Sequence, residues 1–209
     1  MSEQLIIAVS REFGSGGHVV AEKLAERFGL PVYNRNLLRE IALEKSVNAE
    51  NLEKYDEVPK KYLISRRVKG YSNSPEENIA NMQFDFLRKK AESGESFVVV
   101  GRCAESVLSE YPCMIPIFIL GDMEWKIRRT MEVDHLSEKD AEAKILRHDR
   151  KRKEYHNYYC AGKWGDSRNY DITINSSRLG LDKTTDILEN YIRERRGRDS
   201  QTSFAEDEK

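Results

Sequence analysis

The chain has 209 residues, of which 34 % are charged and 39 % belong to the apolar set. This length favours a single domain with a sizeable core, and no apolar run is long enough to span a membrane. The formal net charge of -1 argues against a global basic field for binding nucleic acid or a membrane surface.

Cysteine usage and the N-terminal sequence point to the compartment. Three cysteines, at positions 103, 113 and 160, form no C-x-x-C pair. This usage fits a reducing cytosol and argues against a structural zinc site. The N-terminus also lacks the basic-then-apolar order of a signal peptide. We therefore expect a cytoplasmic protein.

Strands and helices alternate along the chain. Apolar, β-favouring runs predict five strands, at residues 5–10, 31–33, 97–101, 115–120 and 170–174. Helical periodicity fills the segments between them, and this alternation predicts an α/β fold with a parallel sheet. Ligands of such sheets bind beyond the carboxyl ends of the strands, so polar residues at those ends are the candidates for chemistry.

A few residues set the limits of the helices. Gly29 and Pro31 end the first helix. Ser137, with an acidic residue three positions later, is typical of a capping box and opens a long helix to about Tyr159. Residues 197–209 lack a periodic apolar pattern, and we expect a disordered tail there.

A glycine cluster, Gly14-Ser15-Gly16-Gly17, separates the first strand from the first helix. Glycines let backbone N–H groups point at one anion, and a helix N-terminus adds partial positive charge. The cluster and His18 therefore predict a phosphate cradle, in which a side chain at Gly16 would obstruct the phosphate. The alternatives are a glycine-rich turn without a ligand, and a His18 that is only a polar residue at the helix start.

The loop departs from the usual phosphate-loop pattern, G-x-x-x-x-G-K-[ST]. Arg11 stands in the place of the first glycine, Gly17 in the place of the lysine, and His18 in the place of the hydroxyl residue. The lysine normally reaches the β- and γ-phosphates, so another cation must supply that charge. We expect Arg11 and Arg152 to supply it. Ser15 is a possible magnesium ligand, but nothing in its position requires that role.

Arginine is concentrated in four places: at Arg11, at Arg102, at Arg128-Arg129, and within residues 144–153. Its planar guanidinium binds phosphate through two parallel hydrogen bonds, which suits phosphoryl chemistry. For the last segment, a solvated helix face is the common alternative.

Within that segment, Asp149 and Arg152 are three residues apart and share a helix face. An acidic and a basic side chain on one inward face can orient a group on a substrate. Cys103 lacks a patterned base and is interpreted as a buried thiol rather than a nucleophile. The loop at Trp164 is either a lid over a ligand or an ordered plug.

Four stretches in one order resemble the cytidylate kinase-like family, relatives of bacterial cytidylate kinase among the P-loop nucleoside monophosphate kinases. They are SREFGSGGH at 10–18, VVVGRC at 98–103, the segment 147–159 with WGD at 164–166, and NYDITINSS at 169–177. Together they span almost the whole chain.

The resemblance implies a P-loop kinase sheet in one domain of residues 1–196, with helices on both faces. It implies a helical acceptor-binding region at about 35–94 and a helical lid at about 137–168. It also implies ATP and Mg²⁺ as cofactors, and a nucleotide or other small phosphorylated molecule as the partner.

The same resemblance implies roles for three side chains. Arg102 carries over as an arginine that holds a substrate or a phosphate, and Asp149 and Arg152 match the family's D-x-x-R lid pattern. Cytidylate kinases proper carry G-K-G-T in the loop and G-R-D after the third strand. This chain has GGHV at 16–19 and GRC at 101–103 instead, so the lysine, the threonine and the aspartate are absent.

Two functions from different classes remain open. One is a P-loop phosphotransferase that uses ATP and magnesium on a nucleotide or similar small acceptor. The alternative is a nucleotide-binding regulatory or scaffold protein that has lost transfer with the lysine. A dinucleotide-dependent oxidoreductase is weaker, because the third glycine and the acidic residue after the second strand are missing.

Overall fold

The computed structural model describes residues 4–34, 36–45, 50, 67–68, 71–72 and 74–206. Five parallel strands form the main sheet in the order β2-β5-β1-β6-β7, and two further strands, β3 and β4, form a separate antiparallel hairpin. The strands are β1 Ile6–Arg11, β2 Val32–Tyr33, β3 Arg67–Val68, β4 Tyr71–Ser72, β5 Phe97–Val100, β6 Met114–Leu120 and β7 Ile172–Asn175.

Helices follow nearly every strand of the main sheet. They are α1 Gly17–Phe28, α2 Leu37–Lys45, α3 Pro75–Glu92, α4 Ala104–Val107, α5 Met123–Asp134, α6 Glu138–Tyr159 and α7 Ser176–Glu206, with a short 3-10 turn at Ser167–Asn169. The predicted five-stranded parallel sheet is confirmed. None of the helices among the described residues is long and apolar enough to cross a membrane.

The sheet is buried on both faces because its side chains alternate between two cores. Ile6 and Ala8 of β1 pack with α2, α3 and α4 on one face, and Ile7 and Val9 pack with α1 and α7 on the other. β5 is apolar at every position and fully buried, as expected for an inner strand of a parallel sheet. This layering fixes the carboxyl ends of β1, β5 and β6 side by side.

Three of the strands lead directly into the polar edge of the molecule. β1 continues into the glycine loop, and β6 continues through Gly121 into α5. β5 ends in a tight turn in which Arg102 and Cys103 adopt φ angles of 61° and 55°. A left-handed conformation at two successive non-glycine residues is uncommon, and it is a feature often found at functional sites.

The closing helix differs from the sequence prediction. Regular helix continues to Glu206, although residues 197–209 were expected to be disordered. Arg193 bonds to Glu189 one turn earlier, and such i,i+4 pairs support a helix without an apolar stripe. Gly180, with φ 75° and ψ 169°, breaks the helical geometry near its start, so the regular part begins after Gly180.

The short helix α4 and the β3–β4 hairpin were not foreseen. Both are only a few residues long, so neither produces a readable periodicity. The predicted acceptor-binding region at 35–94 contains α2, the hairpin and α3. Residues 35, 46–49, 51–66, 69–70 and 73 of that region lie outside the described residues.

Candidate active site

A cavity of about 420 Å³ opens at the carboxyl edge of the sheet, beside the glycine loop. Its wall includes Gly14 and residues 16–19 and is rich in basic side chains. The basic residues that line it are Arg11, His18, Arg102, Arg129, His148 and Arg152. The position is the one expected for a ligand of a parallel sheet, and the charge favours an anionic ligand.

The glycine loop presents an uncapped helix N-terminus to this cavity. Gly14 and Gly16 adopt left-handed φ angles of 78° and 72°, which glycine reaches without steric cost. The N-cap of α1 is Gly16, so no side chain caps the helix, and its first turn carries no acidic residue. The N–H of Gly17 donates to Ser15 Oγ at 3.3 Å, and the positive end of α1 otherwise lies at the cavity without an acidic side chain in the first turn.

Two glycines of the loop are required by their neighbours. A Cβ atom at Gly16 would collide with the side chain of Leu181 of α7, and obstruction of a phosphate by a side chain at this position stays a prediction. A Cβ atom at Gly17 would lie 2.6 Å from the Cβ atom of Arg11 and 3.1 Å from its Cγ atom. The stem of Arg11 therefore occupies the space that a side chain at residue 17 would enter.

A buried lysine ties the loop to the two following helices. The Nζ atom of Lys126, on α5, donates to Glu12 Oε2 at 2.9 Å and to Asp149 Oδ2 at 3.4 Å. The backbone N–H of Gly121 also donates to Glu12 Oε2, at 3.2 Å. The Lys126 side chain is only 5 % exposed, so its charge requires these two carboxylates.

Asp149 connects the long helix α6 to the loop. Its Oδ1 atom accepts from the backbone N–H of Phe13 at 2.6 Å, while its Oδ2 atom faces Lys126. Burial raises the pKa of the Asp149 carboxyl above its usual value, and the bond from Phe13 and the charge of Lys126 oppose that rise. Both oxygens thus contact protein groups that hold the loop in place.

Arg152 lies one turn along α6 and also contacts the loop backbone. Its Nη1 atom donates to the carbonyl oxygen of Arg11 at 3.3 Å and lies 4.0 Å from Asp149 Oδ1. Its side chain still lines the cavity. The predicted sharing of a face by Asp149 and Arg152 is therefore observed, and that face is turned towards the glycine loop.

An aromatic contact adds to the junction between loop and α6. The ring of Phe13 stacks on His148 with centroids 4.5 Å apart and an interplanar angle of 18°. The cationic groups of Lys144 and Arg152 lie 5.6 and 5.7 Å from the Phe13 centroid. Burial, followed by the charges of Arg152, Arg147, Lys144 and Lys151, lowers the pKa of His148 to about 4. His148 is therefore neutral at pH 7.

Arg102 is buried at the opposite wall of the cavity. It is 3 % exposed, and its Nη2 atom donates to the carbonyl oxygen of Asn34, which follows β2, at 3.4 Å. Its guanidinium therefore places a buried positive charge at the cavity wall. The adjacent residues Arg128 and Arg129 differ in position: Arg129 lines the cavity, whereas Arg128 is exposed.

The other predicted residues take less central places. The side chain of His18 turns along α1 to Glu22, with Nε2 3.2 Å from Oε1, so it is the backbone of His18 that faces the loop. Ser15 is fully buried, donates to the carbonyl oxygen of Glu12 at 2.9 Å and accepts from Gly17. Trp164 packs edge-on against Phe118, which favours an ordered plug.

Three residues of this site were not singled out from the sequence: Glu12, Phe13 and Lys126. Glu12 and Phe13 lie within the quoted loop, but no loop pattern assigns them a function. Lys126 is one of many charged residues on α5. The i,i+4 relation of Lys126 to Asp122 and Thr130 gives no hint of burial, because its partners come from distant parts of the chain.

Comparison with known proteins agrees with the family resemblance seen in the sequence. The model of the cytidylate kinase-like family matches residues 6–178. A cytidylate kinase from Pyrococcus horikoshii is 27 % identical over 178 residues, covering 84 % of this chain and 82 % of that protein. The crystal structure of an uncharacterized protein from Eubacterium ventriosum is 44 % identical, has a TM-score of 0.73, and covers 91 % of this chain and 99 % of its own.

More distant structures share the fold alone. Shikimate kinase from Bacteroides thetaiotaomicron has a TM-score of 0.54 at 12 % identity, covering 90 % of this chain and 98 % of that one. A gluconokinase from Sinorhizobium meliloti has a TM-score of 0.53 at 13 % identity, covering 93 % and 94 %. The sheet and its helices are therefore those of P-loop kinases.

Lys126→Met should destabilise the protein by about 3 kcal/mol, because it leaves the carboxylates of Glu12 and Asp149 without their buried cation. Chemical denaturation at pH 7 measures this loss. The matched control is Lys144→Met. Lys144 pairs with Asp134 and is more exposed than Lys126, so its loss should cost less than about 1 kcal/mol. Equal effects of the two substitutions would contradict the central role of Lys126.

His148→Phe should change the pH dependence of stability while keeping the stack on Phe13. In the wild type the unfolded chain takes up a proton at His148 below about pH 6.5, whereas the folded chain does so only near the lowered pKa of about 4. Stability of the wild type relative to the variant should therefore fall between pH 6.5 and 4, by about 1 kcal/mol after solvent screening. Parallel pH profiles would exclude this contribution.

Proposed function

The chain belongs to the cytidylate kinase-like family, and we propose that it is an ATP-dependent phosphotransferase acting on a nucleoside monophosphate or a similar small acceptor. The observation that carries the proposal is the uncapped N-terminus of α1, which opens into a cavity lined by four arginines. Phosphoryl transfer depends on positioning and on neutralising charge more than on covalent chemistry, and this cavity offers groups suited to both.

The glycine loop fits the triphosphate of a donor nucleotide. Gly14 and residues 16–19 line the cavity, and amides of this loop would bind the donor phosphates. ATP would supply the phosphoryl group that is transferred. The loop would need little rearrangement on binding, since Lys126 and Asp149 already hold Glu12 and Phe13 in place.

Arg11 is our candidate for the cation that replaces the loop lysine. Its stem runs beside Gly17, in the space that a residue-17 side chain would take, and its side chain lines the cavity. The usual pattern has glycine at the position of Arg11 and lysine at the position of Gly17. This chain exchanges the two, so a guanidinium enters the site from the end of β1 instead of from the start of α1.

Arg102 would hold the acceptor phosphate from the opposite wall. Its left-handed backbone and the bond from its Nη2 atom to the carbonyl oxygen of Asn34 orient the guanidinium. We further propose that the region at about 35–94 surrounds the acceptor and that the region at about 137–168, which contains α6, acts as the lid. Asp149 and Arg152 would then position the loop for the donor, with Arg152 meeting charge on the transferred group.

Magnesium fits this site less well than the nucleotide does. Protein-bound Mg²⁺ usually takes one or two carboxylates in addition to substrate phosphates. Among the described residues, the carboxylates that line or adjoin the cavity, Glu12, Asp134 and Asp149, are each paired with a lysine. The Ser15 hydroxyl is buried and bonded within the loop. We therefore derive no step through a metal held by these residues.

Transfer itself is tested by incubating the protein with ATP, magnesium and each nucleoside monophosphate, and by separating the products. The proposal predicts formation of one nucleoside diphosphate well above the rate of ATP hydrolysis in water. A regulatory protein without transfer activity would instead bind nucleotide and yield only background hydrolysis with every acceptor. Absence of nucleotide binding altogether would contradict both functions.

A reciprocal exchange tests the proposed role of Arg11. Arg11→Gly should lower turnover by about 10²–10³-fold, as expected for the loss of one donor to developing charge. Gly17→Lys alone should also impair the protein, because the new Cβ atom would overlap Arg11. The double variant removes the overlap and restores the usual pattern, so it should be more active than either single variant. A double variant no better than the worse single one would refute the exchange.

Arg102→Lys tests whether the guanidinium itself is needed. Lysine keeps the positive charge and must adopt the same left-handed backbone, but it cannot form two parallel hydrogen bonds to a phosphate. The KM of the acceptor should therefore rise about tenfold, while the KM of ATP changes little. The matched control is Arg128→Lys on the exposed face of α5. If Arg102→Lys behaves like this control, Arg102 does not bind the acceptor.

A further inference from the structure

A second cluster of chemically active side chains lies away from the glycine loop, between α4 and the end of α6. Glu105 of α4, His156 of α6 and Cys160, the C-cap of α6, bring one ligand atom each to within 4.8 Å of one another. They are 7 %, 4 % and 8 % exposed. The Glu105 carboxylate and the His156 imidazole pair with each other in this buried space, and the Cys160 thiol lies beside them.

The contacts within the cluster resemble the shell of a metal site. His156 Nε2 lies 2.5 Å from Glu105 Oε1, and the hydroxyl of Ser10 donates to Glu105 Oε2 at 3.1 Å. Ligands of metal ions are commonly oriented by such outer hydrogen bonds. A tetrahedral zinc ion would place its nitrogen and oxygen ligands about 3.3 Å apart, so side-chain shifts of about 1 Å would admit the ion.

A further sulfur donor lies beside the cluster. The thiol of Cys103 is hydrogen-bonded to Cys160 and could approach as a fourth ligand. Nitrogen, oxygen and sulfur donors in this combination suit zinc, whereas Mg²⁺ and Ca²⁺ prefer oxygen alone.

The cluster also has an entry path. A cavity of about 410 Å³, distinct from the one at the glycine loop, is lined by Glu105, His156 and Cys160. Its wall continues to Asn169 and Asp171 at the start of β7. An ion could therefore reach the three ligands without passing through the phosphate-loop cavity.

We propose that Glu105, His156 and Cys160 form a zinc-binding site, with Cys103 beside it as a potential fourth ligand. The sequence argued against structural zinc because no two cysteines form a C-x-x-C pair. The fold assembles the ligands from α4 and the end of α6, which are about fifty residues apart in the sequence, so no local spacing reveals them.

A zinc ion here would join two elements of the candidate active site. Cys103 follows Arg102 directly in the left-handed turn after β5, and His156 is one helical turn beyond Arg152 on α6. The ion would therefore fix the end of α6 against the turn that carries Arg102. The inference is independent of phosphotransfer, because it rests on a different cavity and different residues.

The test uses the untagged full chain, stripped of metal by chelation and kept under a non-thiol reductant. Titration with Zn²⁺ against a chromophoric chelator should show one tightly bound equivalent. Co²⁺ in its place should give the near-ultraviolet charge-transfer band of a cobalt–thiolate bond. Absence of stoichiometric binding, or a cobalt spectrum without that band, would overturn the proposal without bearing on kinase activity.

Variants identify the ligands. Cys160→Ser should weaken zinc binding at least tenfold and abolish the cobalt–thiolate band, and Ser10→Ala should weaken binding about 10–100-fold through loss of the outer hydrogen bond. Cys113→Ser is the matched control, because that thiol is half-buried and bonded to Gln4 away from the cluster. Unchanged binding in Cys160→Ser, or an equal loss in Cys113→Ser, would place the metal elsewhere.

Discussion

The candidate site depends on one buried cation. Lys126 pairs with Glu12 of the glycine loop and with Asp149 of α6, and Asp149 in turn accepts from the N–H of Phe13. These contacts join three segments that are far apart in the sequence at the carboxyl edge of the sheet. A low-dielectric setting makes each contact strong and its loss costly. The loop geometry is therefore held by side chains before any ligand is present.

The same network explains how a phosphate loop can exist without its usual lysine. The loop amides keep their orientation through Glu12 and Phe13, so the site's positive charge can come from elsewhere. Position 17 accommodates only glycine because the stem of Arg11 lies against it. The arginine at position 11 and the glycine at position 17 are therefore coupled departures from the usual pattern. In our account they move the cation from the helix to the strand end and leave the cradle in place.

The fold was largely predictable, whereas the inner contacts of the site were not. Continuous apolar runs such as β5 identify buried parallel strands, and ligand sites of such sheets lie at a known edge. This reasoning located Arg11, Arg102 and the glycine loop. It could not find Lys126, whose partners come from other segments. It also assigned the face shared by Asp149 and Arg152 to a ligand, although the two side chains first contact the loop.

Amide NMR of the glycine loop tests the central claim most directly. Isotope-labelled protein is titrated with a non-hydrolysable ATP analogue, and the N–H shifts are followed residue by residue. The account predicts saturable shifts that are largest at the loop and at the start of α1, with Gly14 and His18 among them, because their N–H groups would meet the phosphates. Saturable binding that leaves these amides unmoved, or no binding at all, would contradict it.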